Sequence, residues 1–140
     1  FRLADFSVIE LKKRKDCPAC GDNARVADKF MNSLFVEFIT PEKLKDRLDS
    51  GSAPRVLDLR YAWEHDLAHI KGDVLADVDE LIKSGAGFGP GEELVLYCKG
   101  QSKSIAAYKA LRDRGFNRVF VLKGGIDAWA EKVEKGMLRY

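Results

Sequence analysis

From residue 34 onward, short apolar runs alternate with helically spaced apolar positions. Phe35, Val36, Phe38 and Ile39 predict a short strand over 35–39, and Thr40 followed by Pro41 predicts a helix start, as N-cap and first helical residue. Leu44 and Leu48, four apart, give that helix one apolar side; Gly51 and Pro54 end it. A strand over 56–59, a short helical piece over 63–68, a weaker strand over 73–76 and a short helix over 77–83 follow. After a glycine-rich connection at 85–91 comes Leu94-Val95-Leu96-Tyr97, a continuous apolar run expected to form a central strand covered on both faces. A helix over 104–112 with Ile105, Tyr108 and Leu111 inward, a strand over 118–122 and a helix over 126–132 complete the pattern. Strands alternating with helices predict an α/β fold, a parallel central sheet flanked by helices. Such sheets place ligands at the carboxyl ends of their strands, where Cys98 stands.

The first 33 residues differ in texture. Phe6, Val8, Ile9 and Leu11 predict an N-terminal strand, followed by a Cys17-Pro18-Ala19-Cys20-Gly21 knuckle and a polar connector unable to bury a core of its own. The chain therefore divides into an extension over 1–33 and a domain over 34–140. A length of 140 residues suits one compact domain with such an extension. Residues 1–30 hold seven Lys/Arg against five Asp/Glu, and residues 31–140 hold seventeen of each. A neutral main domain does not suggest direct nucleic-acid binding. No apolar run reaches the about 18 residues of a membrane span, and no secretory leader is visible. The chain begins at Phe1 and is expected to be a fragment of a longer protein. Three cysteines, Cys17, Cys20 and Cys98, argue against a disulfide framework and for a reducing, cytoplasmic setting.

Cys98 opens the stretch Lys99-Gly100-Gln101-Ser102-Lys103-Ser104, which is small, polar and basic, and leads from the buried strand into a helix. Such a loop can curl its N–H groups inward, next to a helix N-terminus, and favour an anion. The first such anion is the Cys98 thiolate, whose formation Lys99 and Lys103 also favour. An inert buried cysteine would need none of this.

Residues 34–132 resemble the rhodanese domain, the sulfurtransferase module. The resemblance rests on Asp58-Leu59-Arg60 with Glu64 and His69-Ile70-Lys71-Gly72, on Cys98 through Ser104 as the active-site loop, and on the closing Gly124-Gly125-Ile126-Asp127-Ala128-Trp129. It implies that Cys98 carries sulfur as a persulfide, with no cofactor required. Many family members have Arg directly after the cysteine and Gly three places after it, where this chain has Lys99 and Gln101, with Gly at 100. The related cysteine phosphatases and arsenate reductases use a Cys-x5-Arg loop, but Ser104 stands where that Arg would be. A serine offers no guanidinium fork for a tetrahedral oxyanion. Phosphatase-like chemistry and a non-catalytic binding module are the alternatives.

Asp58 and Arg60, two apart at a strand end, face the same side and are expected to brace neighbouring loops. His65 and His69 have the four-residue spacing of zinc-protease ligands, but Asp66 follows the first and no third histidine exists. Both are read as structural or surface residues. Ser7 through Leu11, with Asp16 through Gly21, resembles the tail of an E1-like adenylyltransferase domain. That likeness makes Cys17 and Cys20 half of a zinc site. It also implies an upstream E1-like domain as the only user of ATP, with a ubiquitin-like sulfur-carrier protein as acceptor. Thiosulfate or a cysteine desulfurase would be the sulfur donor, and tRNA thiolation or molybdenum cofactor synthesis would lie downstream.

Overall fold

A computed structural model of the chain describes residues 35–140. The expected N-terminal strand and the Cys17/Cys20 pair lie outside them. In chain order the elements are β1 (Phe38–Ile39), α1 (Pro41–Asp49), β2 (Arg55–Asp58), α2 (Ala62–Leu67), β3 (Val74–Leu75), α3 (Val78–Ser84), β4 (Leu94–Tyr97), α4 (Ser102–Asp113), β5 (Val119–Leu122) and α5 (Gly125–Lys132). A single 3₁₀ turn, Gly85–Gly87, follows α3. The strands form one parallel sheet in the order β1-β5-β4-β2-β3.

Strand alternation divides the core into two layers. Leu57, Leu94, Leu96, Val119 and Val121 face α3 and α4, where Leu81, Ala107, Tyr108 and Leu111 meet them. Val56, Val95, Tyr97 and Leu122 face α1 and α5, meeting Leu44, Ile126 and Trp129. Both faces of β4 are therefore covered and all four of its residues are fully buried, as its unbroken apolar run predicts. Thr40 caps α1, accepting from the Lys43 N–H at 3.3 Å, with Pro41 at the first helical position.

The elements differ from the sequence reading mainly at their ends. β1 pairs only over two residues, because it is an edge strand whose ladder ends where the Glu37 carbonyl accepts the Val121 N–H. Phe35, before that point, is exposed. α4 begins at Ser102, two residues before the expected start, and its face nearest the sheet carries small Ser104 and Ala107 beside Tyr108 and Leu111. Ile105, expected inward, lies only partly buried at the edge of that layer.

Candidate active site

Cys98 follows the last residue of central β4 and lies in the layer beneath α4, 4% exposed. Its Sγ is 3.5 Å from the hydroxyl of fully buried Ser104, and that hydroxyl is 3.0 Å from the Gln101 carbonyl. Ser104 has one proton to give. It donates to Gln101 while the sulfur is a thiol, and is positioned to turn to the sulfur once that is an anion.

The backbone of the loop is oriented from behind by α5. The Cys98 carbonyl accepts the Ile126 N–H at 3.0 Å, and the Lys99 carbonyl accepts the Asp127 N–H at 3.3 Å. The Gly100 carbonyl also abuts this helix start, only 2.1 Å from where a side chain on Gly125 would begin. All these peptides are trans, so each N–H points opposite to its carbonyl. Three carbonyls turned toward α5 thus aim the N–H groups of Lys99, Gly100 and Gln101 away from it. Among the described residues, no hydrogen-bond acceptor meets the N–H groups of residues 99–104. Gln101 caps α4 without a side-chain bond, so the positive end of a 12-residue helix is left for an anion. Cys98 and residues 99–103, with Arg60 and Glu64, line a cleft of about 220 Å³.

The charged residues around this cleft are placed differently from one another. Lys99 and Lys103 both line it, but each ammonium rests on an aromatic ring, Lys99 4.4 Å from the Tyr140 centroid and Lys103 3.9 Å from that of Tyr61. Lys99 also donates to the Tyr140 carbonyl. Their charge is held at the mouth of the cleft and makes no hydrogen bond to the sulfur.

Arg60 is buried, and every N–H it owns is used. Nε and Nη2 grip Asp58 at 2.9 and 2.6 Å, Nη2 also reaches the Ala68 carbonyl at 2.6 Å, and Nη1 serves the Glu64 carbonyl at 3.3 Å and the Tyr140 hydroxyl at 2.9 Å. Burial opposes its charge, but these partners hold its pKa well above the usual range. The guanidinium therefore ties the end of β2 to α2 and to Tyr140, with no donor left over for a phosphate. Tyr140 in turn donates to Glu64 at 2.6 Å. Burial would raise the Glu64 pKa, but this bond, the Tyr61 N–H and Arg60 outweigh it and hold the carboxylate below its ordinary range. The hydroxyl of fully buried Tyr97, the residue before Cys98, lies between the carboxylates of Asp58, at 2.9 Å, and Asp73, with one proton to share between them. Burial and the flanking carboxylates Asp58 and Asp73 push its phenol far above the usual range.

Cys98 and the loop residues 99–104 thus come together, with Asp58 and Arg60 as a buried pair beside them. Sequence reasoning did not find Tyr140, whose contacts with residues 60, 64 and 99 are long-range, or the role of Gly125 behind the loop. The Gly124-Gly125 pair was visible, but only the fold shows what approaches it. Among the described residues no helix is long and apolar enough to cross a membrane.

The rhodanese-like domain family model matches residues 40–132. The chain is similar to the "Probable adenylyltransferase/sulfurtransferase MoeZ" of Mycobacterium tuberculosis, 37% identical over 118 residues, covering 82% of this chain and 30% of that protein. It is also similar to the adenylyltransferase and sulfurtransferase MOCS3-2 of Zea mays, 24% identical, covering 94% of this chain and 33% of that one. It therefore spans about a third of the length of these relatives. Among solved structures, a rhodanese-related protein of Thermoplasma volcanium superposes with a TM-score of 0.62 at 23% identity, covering 69% of this chain and 93% of that one. A human single-domain sulfurtransferase gives 0.61 at 23% identity, covering 70% and 98%. These two show the shared fold, and the family match shows the kinship: this chain belongs to the rhodanese-like domain family.

Proposed function

We propose that this domain is a working sulfurtransferase, in which Cys98 accepts a sulfane sulfur and hands it on. The observation that carries this reading is the placement of Cys98 at the end of β4, beside a loop whose N–H groups at residues 99–101 are turned away from α5 and are unpartnered among the described residues. The Cys98 thiolate attacks the outer sulfur of a donor such as thiosulfate. The S–S bond breaks, its electron pair leaves with sulfite, and a cysteine persulfide anion remains. The N–H groups of residues 99–104 and the start of α4 stabilise that anion. An acceptor nucleophile then attacks the terminal sulfur and regenerates the thiolate, so no oxidant or cofactor enters.

The likeness to MoeZ and MOCS3-2, proteins named for both adenylyl and sulfur transfer, supports a particular acceptor. That acceptor is a ubiquitin-like sulfur carrier activated as an adenylate by an E1-like domain upstream on the same chain. A cysteine desulfurase or thiosulfate supplies the sulfur. The carrier thiocarboxylate then serves tRNA thiolation or molybdenum cofactor synthesis. The need for a reduced thiol at Cys98 favours a cytoplasmic setting.

The test is turnover of thiosulfate and cyanide to sulfite and thiocyanate, run beside hydrolysis of an aryl phosphate. Wild type is expected to form thiocyanate and leave the phosphate intact, because Arg60 has no N–H to spare and Ser104 replaces a loop arginine. Thiocyanate formation is expected to vanish in Cys98→Ala. Aryl phosphate hydrolysis that depends on Cys98 would overturn this reading in favour of a phosphatase. Failure of wild type with both thiosulfate and a persulfidated desulfurase would leave a binding module.

A further inference from the structure

Near α2 lies a second group of chemically able side chains that the sulfur site does not use. α2 ends at Leu67, Ala68 is extended, and residues 70–73 form a tight turn closed by the Asp73 N–H to the Ile70 carbonyl at 3.1 Å. Gly72, at φ +86°, occupies the third position of that turn, where a positive φ is required. The turn brings Asp73 back beneath the two histidines. His65 Nε2 is 3.1 Å from Asp73 Oδ1, and the His65 and His69 rings stack with centroids 4.1 Å apart. One ring nitrogen from each histidine and one Asp73 oxygen all lie within 4.8 Å of one another.

We propose that His65, His69 and Asp73 form a binding site for a divalent transition metal of the zinc class. The donor set is two imidazoles and one carboxylate, a set zinc accepts with water in a fourth position. The His65–Asp73 separation is close to one edge of a tetrahedron with 2.0–2.1 Å bonds, about 3.3 Å. His69 lends its Nδ1–H to the His65 carbonyl at 2.9 Å, which leaves the Nε2 lone pair for a metal. An imidazole oriented through its other nitrogen is the usual state of a metal-ligating histidine. Asp73 is held by the same kind of outer partner. Its side chain is 2% exposed, and its Oδ2 shares the one Tyr97 hydroxyl proton with Asp58. His69, by contrast, is exposed; a swivel of its ring about the Nδ1 hydrogen bond, out of the stack with His65, aims Nε2 at the ion, and water reaches the open position.

The site stands apart from the Cys98 loop in its ligands and does not depend on the sulfur chemistry. It is joined to that loop through one side chain, because Tyr97, which holds Asp73, directly precedes Cys98. The sequence reading took both histidines as structural or surface residues. Asp73 is added by the turn.

The chain holds only two histidines, so ring nitrogen–proton correlation spectra report the site without ambiguity. Zinc chloride titrated into the reduced full chain is expected to shift both ring systems in one saturable step with a single midpoint, while magnesium moves neither. Asp73→Asn, which keeps a hydrogen-bonding group, and His69→Ala, at an exposed position, are each expected to raise the zinc midpoint about tenfold or more. Backbone amide spectra verify that each variant is folded, and the exposed His69 variant decides the matter should Asp73→Asn misfold. Ring signals that stay still while zinc saturates the cysteines would overturn the proposal. So would an unchanged midpoint in the folded variants, the mark of a loose surface histidine pair.

Discussion

Alanine at position 125 is expected to cut sulfur transfer by about a hundredfold or more and to destabilise the domain by about 2–5 kcal/mol. Gly125 has φ +61°, a left-handed conformation that costs an L side chain about 1–2 kcal/mol. A Cβ built there would stand 2.1 Å from the Gly100 carbonyl oxygen, 2.4 Å from that of Lys99 and 2.5 Å from that of Cys98. These are backbone atoms of the sulfur loop and cannot swing aside as a flexible side chain would. Relief requires α5 and the loop to separate, which strains the packing and releases the Ile126 and Asp127 hydrogen bonds. The N–H groups around the sulfur then lose their common aim, and displacements of about 1 Å are enough to cost two decades in rate. Gly124→Ala provides the contrast. Its Cβ would collide with the Ala128 side chain at 2.5 Å, within the start of the same helix, and touches no loop carbonyl. It is expected to lose stability with a much smaller loss of transfer. Urea denaturation and initial rates on both variants separate the two effects, and equal loss of rate would remove α5 from its role behind the loop.

The second large effect is at Asp58. Asp58→Ala is expected to cost about 3–5 kcal/mol, because Arg60, which is 5% exposed, loses the only carboxylate it hydrogen-bonds directly among the described residues. It also removes the acceptor for the Arg60 backbone N–H at 2.9 Å and one of the two carboxylates that face the Tyr97 hydroxyl. A domain of this size has a net stability of about 5–15 kcal/mol, so the loss is a large share of the total. Arg60 lines the Cys98 cleft, but among the described residues neither member of the pair hydrogen-bonds the sulfur or the loop N–H groups. Molecules of the variant that remain folded in the cold are therefore expected to accept sulfur at a rate near wild type. A milder urea midpoint shift, below about 1 kcal/mol, would mean that Arg60 finds other partners or water.

Much of this site was legible from sequence because its parts are local. The apolar run of β4, the polar stretch after Cys98 and the start of α4 adjoin one another, and period-two alternation then fixes which layer Cys98 joins. Asp58 and Arg60 were readable as a pair for the same reason. What could not be read came from distant segments meeting. Tyr140 reaches Arg60, Glu64 and Lys99 across the chain, and no local pattern marks it. The lysines were expected to add positive charge to the loop; that their ammonium groups rest on the rings of Tyr140 and Tyr61 could not be read, because long flexible side chains settle on rings brought near by the fold. The edge strand was read as longer than it is, because hydrophobicity marks apolar positions and only a neighbouring strand makes them paired. The histidines were spaced as a pair, and the turn that brings Asp73 to them depends on the φ of Gly72.

The central claim, that Cys98 is the sulfur carrier, is tested most directly by intact mass of the full chain after exposure to thiosulfate or a persulfidated cysteine desulfurase. Wild type is expected to gain one sulfur atom that a reducing agent removes, and Cys98→Ala to gain none. A gain that persists in Cys98→Ala, or no gain in wild type with either donor, would contradict the account.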